Sequence, residues 1–480
     1  LKGGVIGWAS IRINSLRVAS TNSKKLRGQT MDTGSVSIAR SARTAALAVC
    51  CLLGSAYASA GTGVLVKGLA RAGADSAPTD QFCRDNFGVA CYSPQEIRTA
   101  YGLNGLIDAG LVGAGQTIVI IDSYGSPTLA ADLSAFDAGY GLPDPPSLKV
   151  LSPLGSVPFD PNDNTMASWA FETTLDVQWA HAMAPGAAIV VLTSPVAETE
   201  GVQGLPEFLA LEKYALDHHL GKIISQSWAA TENTLFPGVA GPQGPQVIAE
   251  YEAFYARAAA ENVTVLAAAG DTGSANVESD SVTFYTFPTV NFPASSPLVT
   301  AVGGTSLMAD TSGNYQSETV WNDGSGAGGG GTSQIFQEPF YQLFSLPKHV
   351  QAELGGKRGI PDVSYHADCV NFILVYVGFL PGAEGYYFIC GTSEGSPQWA
   401  GIVADLNQYT GRPLGFLNPA LYAVGGLGGF RQFGRDVTMG TNAFLGVPGY
   451  SAAPGWDPAT GWGTPNLVEL PYHSIGFLEH

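Results

Sequence analysis

Residues 390–404, CGTSEGSPQWAGIVA, set Ser393 in a glycine-flanked turn. Upstream, GYYFIC is rich in aromatic and β-branched residues and reads as a strand; downstream, Pro397 and apolar residues at helical spacing read as a buried helix. A serine at that junction lies close to unpaired backbone N–H groups and a helix dipole, both of which favour a developing negative charge. That environment suits acyl transfer, whereas a lone Gly-Thr-Ser is otherwise an ordinary helix cap. Such a nucleophile needs a group to take its proton.

Seven histidines are available, at 181, 218, 219, 349, 366, 473 and 480, and none stands in a His-Gly-Thr/Ser context. They read as surface or structural residues. The segment WAFETTLDVQWAHAMAPG offers carboxyls instead. Glu172 and Asp176 are four apart, so at about 100° per residue they share a helix face, separated by about 40°, while His181 lies about 180° from Glu172. Trp169, Phe171, Leu175, Trp179, Ala180 and Met183 surround the pair and argue for burial. Two carboxyls side by side in a partly dry site cannot both ionise easily, so one stays protonated and orients the other as a base.

Apolar runs that end in polar turns must position these groups: 116–125, 187–193, 222–228, 263–270 and 298–304 read as buried strands, and 165–183 and 247–260 as helices. Their alternation predicts an α/β fold, a doubly wound, mostly parallel sheet with helices on both faces. Sites in such sheets gather beyond the C-terminal strand ends, where Asp122, Ser227 and Asp271 fall. The run GSGAGGGGTSQ (324–334) contains G-x-G-x-x-G without a strand-turn-helix context and reads as a mobile surface loop.

The chain has 480 residues, 45% hydrophobic and 13% charged, with a formal charge of −18. Eight of its 22 basic residues lie in positions 1–60, where Asp32 is the only acid; the remainder holds 14 basic and 39 acidic residues, a balance of −25. Such a surface repels nucleic acid. Positions 31–60 resemble an export signal, with Arg40 and Arg43, an apolar run Thr44 to Leu53, and Ala58-Ser59-Ala60 as a cleavage site. Residues 1–30 read as a leader or gene-model artefact, and 61–92 as a linker or prosegment remnant. Beyond the signal remain Cys83, Cys91, Cys369 and Cys390, whose local pairing suits an oxidising compartment. No Cys-x-x-Cys or His-Glu-x-x-His occurs, which argues against zinc.

Taken in order, FETTLDVQWAHAMAPGA, ISQSWAATE, AAAGDTGS, FPASSPLVTAVGGT, GGGGTSQIFQEPFYQ, GIPDVS, GTSEGSPQWAGI and RDVTMGTNA…APGWDPATGWGTPN resemble the sedolisin family, serine-carboxyl peptidases of subtilisin-like fold, from about Ser93 to Asn466. The resemblance implies a catalytic domain over 93–480, with Ser393 as nucleophile, Glu172 as general base and then acid, Asp176 as its orienting carboxyl and Asp271 as a protonated oxyanion-hole donor. It also implies one structural Ca²⁺ held by the carboxylates of Asp436 and Asp457 and the backbone carbonyls of Val437, Ala453 and Gly455. Ala453 stands where the family usually has glycine. Asp122 falls where subtilisin-like enzymes place their catalytic acid. The expected protein is a secreted, monomeric, acid-active peptidase acting on proteins or peptides, with no membrane attachment after signal removal. Family members carry a large N-terminal prosegment, for which residues 61–92 are too few.

Two other readings differ in class. GTSEG satisfies G-x-S-x-G, so an α/β-hydrolase would pair Ser393 with Asp436 or Asp457 and His473. A secreted binding protein on the same fold would keep the groove and lack turnover.

Overall fold

The computed structural model describes residues 71–73 and 76–468, and every structural statement below concerns those residues. The segments expected to be a leader and an export signal, with His473 and His480, lie outside them. The chain divides into two units, Leu1–Val49 and Cys50–His480, of which the first falls wholly outside the described residues.

Thr117–Ser123 (β1), Leu148–Leu151 (β2), Ala188–Ser194 (β3), Ile223–Gln226 (β4), Thr264–Ala268 (β5), Thr300–Ala309 (β6), Tyr315–Val320 (β7) and Val363–His366 (β8) form one sheet. Its order is β7-β6-β5-β4-β1-β3-β2, with β8 also on β6. Ile121 of β1 lies beside Leu192 of β3, and Ile120 beside Ser225 of β4, both in parallel register; the β6/β7 pair is antiparallel. β1 shows why its apolar run is continuous: Ile118 and Ile120 join the core on one face, Val119 and Ile121 the core on the other. The strand order turns at β1/β4, so the crevice expected in a doubly wound sheet opens beyond those two strand ends. Asp122 is the penultimate residue of β1, Ser227 directly follows β4, and Asp271 lies three residues past β5.

Helices Leu129–Tyr140 (α1), Asn164–Met183 (α2), Leu205–Asp217 (α3), Gln243–Ala260 (α4) and Gly395–Thr410 (α5) cover the sheet. Trp179 of α2 and Ile402 of α5 join one core, Phe208 of α3 and Tyr251 of α4 the other. Asp163 caps α2, its Oδ1 accepting from the N–H groups of Thr165 and Met166 at 2.8 and 3.1 Å. From Ala167 onward α2 is buried almost all round, as a helix sandwiched in a large core must be. It packs on α5 at Gly401, where a Cβ would stand 2.6 Å from Cβ of Met183.

The strand before Ser393, Gly385–Ile389 (β10), pairs antiparallel with Asn371–Val377 (β9), Ile389 opposite Ile373. The Cys369–Cys390 disulfide ties the outer ends of this hairpin, and Cys83–Cys91 closes a second local loop, both as expected. Two expectations need correction. Residues 61–92 are not all linker: Asp80–Asn86 is a helix capped by Thr79, and Ala90–Tyr92 joins β9 in parallel. The glycine run is not a mobile surface loop. Residues 326–331 are buried, and a Cβ on Gly329 would strike the carbonyl of Ala269 and one on Gly330 that of Pro458. Here glycine serves close backbone approach: Ala327 and Gly329 donate N–H groups to the carbonyls of Asp271 and Gly270 at 2.9 and 2.7 Å, fixing the turn that carries Asp271.

Candidate active site

Gly391 adopts φ 124°, a conformation that glycine reaches without strain, and starts the 3₁₀ turn Thr392–Glu394 that leads into α5. Ser393 sits in that turn, fully buried, with no partner on its Oγ. The turn is anchored at three points. Gly391 donates its N–H to the carbonyl of Ala367 at 2.8 Å. Thr392 donates its N–H and its hydroxyl to Oδ1 of Asp271 at 2.7 and 2.8 Å, and its Oγ1 lies 3.0 Å from the N–H of Gly270. Asp271 is therefore held against the residue that precedes the serine.

Glu172 and Asp176 lie on the face of α2 turned to this site, both buried. Ser227 donates its hydroxyl to Oδ1 of Asp176 at 2.8 Å and stands 3.3 Å from the carbonyl oxygen of Ser393. Burial pushes the Glu172 carboxyl well above its ordinary range; the charges of Asp122 and Asp271 add to the rise and the Ser393 hydroxyl opposes it. The two groups thus face each other, although Oγ of Ser393 and Oε1 of Glu172 complete no hydrogen bond. Contacts between a nucleophile and its base commonly tighten only when substrate binds. Burial likewise raises Asp176, reinforced by Asp122 and Glu172 and opposed by Ser227. Asp122, fully buried, is pushed up to about 7 by burial, with the Thr173 hydroxyl opposing the rise. The groups that act on Glu172 and Asp176 are carboxyls and hydroxyls, with no cation among them. Such a cluster can shed one proton far more easily than two.

The histidines stay apart from this arrangement or serve other contacts. His181 points to α1, its Nε2 2.8 Å from the carbonyl of Pro143 and 3.3 Å from Oδ1 of Asp137, as the helical arithmetic requires. His218 contacts the carbonyl of Tyr214 on the surface. His366, read as structural, is buried with Nδ1 3.2 Å from both carboxyl oxygens of Glu394, the residue after Ser393. Ser227 was marked by its place at a strand end; Thr392 and this His366–Glu394 pair had no individual sequence signal, and only their adjacency to the serine could have marked them.

The residues expected to hold calcium lie in the C-terminal loops, in two contacting pairs. Gly455 donates its N–H to Oδ2 of Asp436, and Ala453 to Oδ2 of Asp457, each at 2.9 Å. Asp457 Oδ1 also accepts from the N–H groups of Ala459 and Thr460 at 2.9 Å, which makes Asp457 a turn cap in its own right. Val437 is buried beside Asp436, whose Oδ1 is buried without a partner. Two carboxylates, one of them with an orphaned oxygen, fit a hard cation. Among the described residues no group of three or more His, Cys, Asp or Glu side chains converges, so further ligands would have to be backbone oxygens.

Comparison with known proteins bears on the family and the fold. The chain is 35% identical over 339 residues to kumamolisin of Bacillus sp. (strain MN-32), covering 69% of this chain and 55% of that protein. It is 28% identical over 362 residues to sedolisin of Pseudomonas sp. (strain 101), covering 74% and 56%. The solved structure of Pseudomonas sedolisin, a serine-carboxyl proteinase complexed with two molecules of pseudo-iodotyrostatin, superposes with a TM-score of 0.64 over 80% of this chain and 97% of that one. The chain belongs to the sedolisin family. Its doubly wound sheet is accordingly the subtilisin-like α/β fold of that family. Human tripeptidyl-peptidase 1 is similar as well, 32% identical over 289 residues, covering 56% of this chain and 44% of the relative. The chain spans about half the length of these curated sedolisin relatives. No family model matches it.

Proposed function

We propose that this sedolisin-family chain is a secreted, acid-active serine peptidase that cleaves proteins or peptides through an acyl-enzyme on Ser393. The observation that carries the reading is the burial of Asp122, Glu172 and Asp176 beside an unpartnered serine hydroxyl, without a neighbouring cation. Below the point where the cluster loses a second proton, one carboxylate remains to act as base. In the proposed sequence Glu172 accepts the Oγ proton as Oγ bonds to the substrate carbonyl carbon, whose oxygen becomes the oxyanion. Asp271, protonated, donates to that oxygen. The C–N bond then breaks, Glu172 returns its proton to the leaving amine, and water repeats the steps on the ester. Asp176 and Asp122 share the remaining protons of the cluster and orient Glu172.

Secretion is supported by the signal-like sequence at 31–60 and by the two disulfides. The strongly acidic composition speaks against nucleic-acid partners, and no helix among the described residues is long and apolar enough to cross a membrane. Asp436 and Asp457, with the carbonyls of Val437, Ala453 and Gly455, would hold Ca²⁺; when bound, the ion would stabilise the loops that follow α5, with no part in bond cleavage.

Digestion of a denatured protein near pH 4 tests the reading. Ser393→Ala and Glu172→Gln should each remove nearly all cleavage while leaving the thermal midpoint near wild type, because general-base help is typically worth about 10² to 10⁴. A Glu172→Gln protein that keeps more than about a tenth of the wild-type rate would end the carboxyl-base reading.

A further inference from the structure

Ser393 is gripped from both sides. On one side Thr392 is tied to Asp271. On the other, Glu394 stands at the start of α5, fully buried, and its carboxyl meets Nδ1 of His366 at 3.2 Å through each oxygen. His366 ends β8. Its N–H donates to the Tyr101 hydroxyl at 3.0 Å, and its ring stands edge-on to Tyr92 with centroids 5.6 Å apart. Because the next residue, Ala367, takes the N–H of Gly391, the end of β8 holds the nucleophile's turn both before and after the serine.

Every charged group facing this pair is acidic. Asp368 and Glu318 face the imidazole; Asp368 and Asp271 face the carboxyl. Although burial opposes it, the Glu394 carboxyl raises His366 to about 9, so the ring keeps its proton through acid and neutral pH. Burial still lifts Glu394 to about 7 despite its partner. A carboxylate there without the imidazolium would set an unpaired negative charge one residue from the atom that must support an oxyanion.

The geometry points to His366 and Glu394 as a positioning pair for Ser393: the imidazolium fixes the residue after the nucleophile, holds the turn that turns Oγ to Glu172, and cancels a charge that would oppose the oxyanion. This role rests on the peptidase reading above.

The test compares wild type, His366→Asn, Glu394→Gln and the double variant, measuring kcat and KM on one peptide from pH 4 to 7 and following the His366 ring by NMR. His366→Asn should lower kcat about tenfold or more with KM within about threefold, with the largest loss at the top of the range, where the stranded Glu394 begins to ionise. Adding Glu394→Gln should restore most of that loss, which mere loosening of the fold would not allow. In wild type the ring should stay protonated above pH 8; in Glu394→Gln it should titrate nearer the ordinary histidine range of about 6.5. Wild-type kcat in His366→Asn, or a double variant no better than the single, overturns the proposal. If His366→Asn does not fold, Glu394→Gln decides: an unchanged ring titration overturns it. A wild-type chain that cleaves nothing ends the peptidase reading itself, whereas an active wild type with any overturning result ends only this role.

Discussion

The Ser227 hydroxyl lies between Oδ1 of Asp176, at 2.8 Å, and the carbonyl oxygen of Ser393, at 3.3 Å. Having one proton, it can donate to only one of them at a time. When Asp176 is ionised the carboxylate takes that bond. When Asp176 is protonated it can donate to Ser227 instead, which frees the hydroxyl for the Ser393 carbonyl. Ser227 therefore links the charge of the cluster to the backbone of the nucleophile.

Removing that hydroxyl takes away the bond that lowers Asp176. Asp176 should then hold its proton to higher pH, so Ser227→Ala should move the alkaline limb of the kcat profile upward while costing about tenfold or less in rate. A pH–rate profile superimposable on wild type would show that Ser227 does not act on the cluster.

The cluster also sets how stability depends on pH. Asp122 rises from the ordinary carboxyl range to about 7, so its folded value lies above its unfolded one. Its contribution is present in full below about pH 4 and is lost as pH rises through about 7, at up to about 1.4 kcal/mol per pH unit. The thermal midpoint should fall between pH 5 and pH 8, and Asp122→Asn, which cannot ionise, should fall less. Parallel curves for the two proteins would mean that Asp122 is not protonated in the fold.

Much of this architecture was legible in the sequence. The strand β1 and helix α2 could be read because each keeps an unbroken apolar pattern, and the i, i+4 spacing placed Glu172 and Asp176 on one face while turning His181 away. Ser393 stood out by its glycine-flanked strand-to-helix turn. The glycine run 326–331 was misread because composition cannot distinguish a glycine that frees a loop from one that lets two backbones touch. The His366–Glu394 pair was illegible for another reason: it joins residues 28 apart, one ending a strand and one opening a helix, through a tertiary side-chain contact that has no local signature.

Calcium binding has its own readout. A ligand held only by the native state raises the thermal midpoint by mass action, so chelator should lower it. Asp457→Asn should lower it too, and chelator should then add little. Asp436→Asn separates the two roles, since Asp436 carries the orphaned oxygen while Asp457 also caps a turn. If metal analysis finds no calcium and chelator leaves every melting curve unmoved, these loops are held by their turns alone.

The last prediction concerns Asp271. Its Oδ1 accepts both donors of Thr392, an arrangement that an asparagine carbonyl can reproduce while placing an amide N–H where the second carboxyl oxygen stands. A carboxyl can donate to an oxyanion only while protonated, because its ionised form would set one negative charge against another in a dry site. An amide donates at every pH. Asp271→Asn should therefore keep measurable activity and lose less of it between about pH 4 and pH 6 than wild type, the range that brackets ordinary and raised carboxyls. Because the charge of Asp271 also helps to raise Glu172, the limb set by Glu172 and Asp176 should remain in both profiles but lie at somewhat lower pH in the variant. Identical profiles would remove Asp271 from the role of titrating donor, and a wild-type optimum near pH 8 would be incompatible with the whole carboxyl mechanism, since a protonated carboxyl donor is favoured by acid.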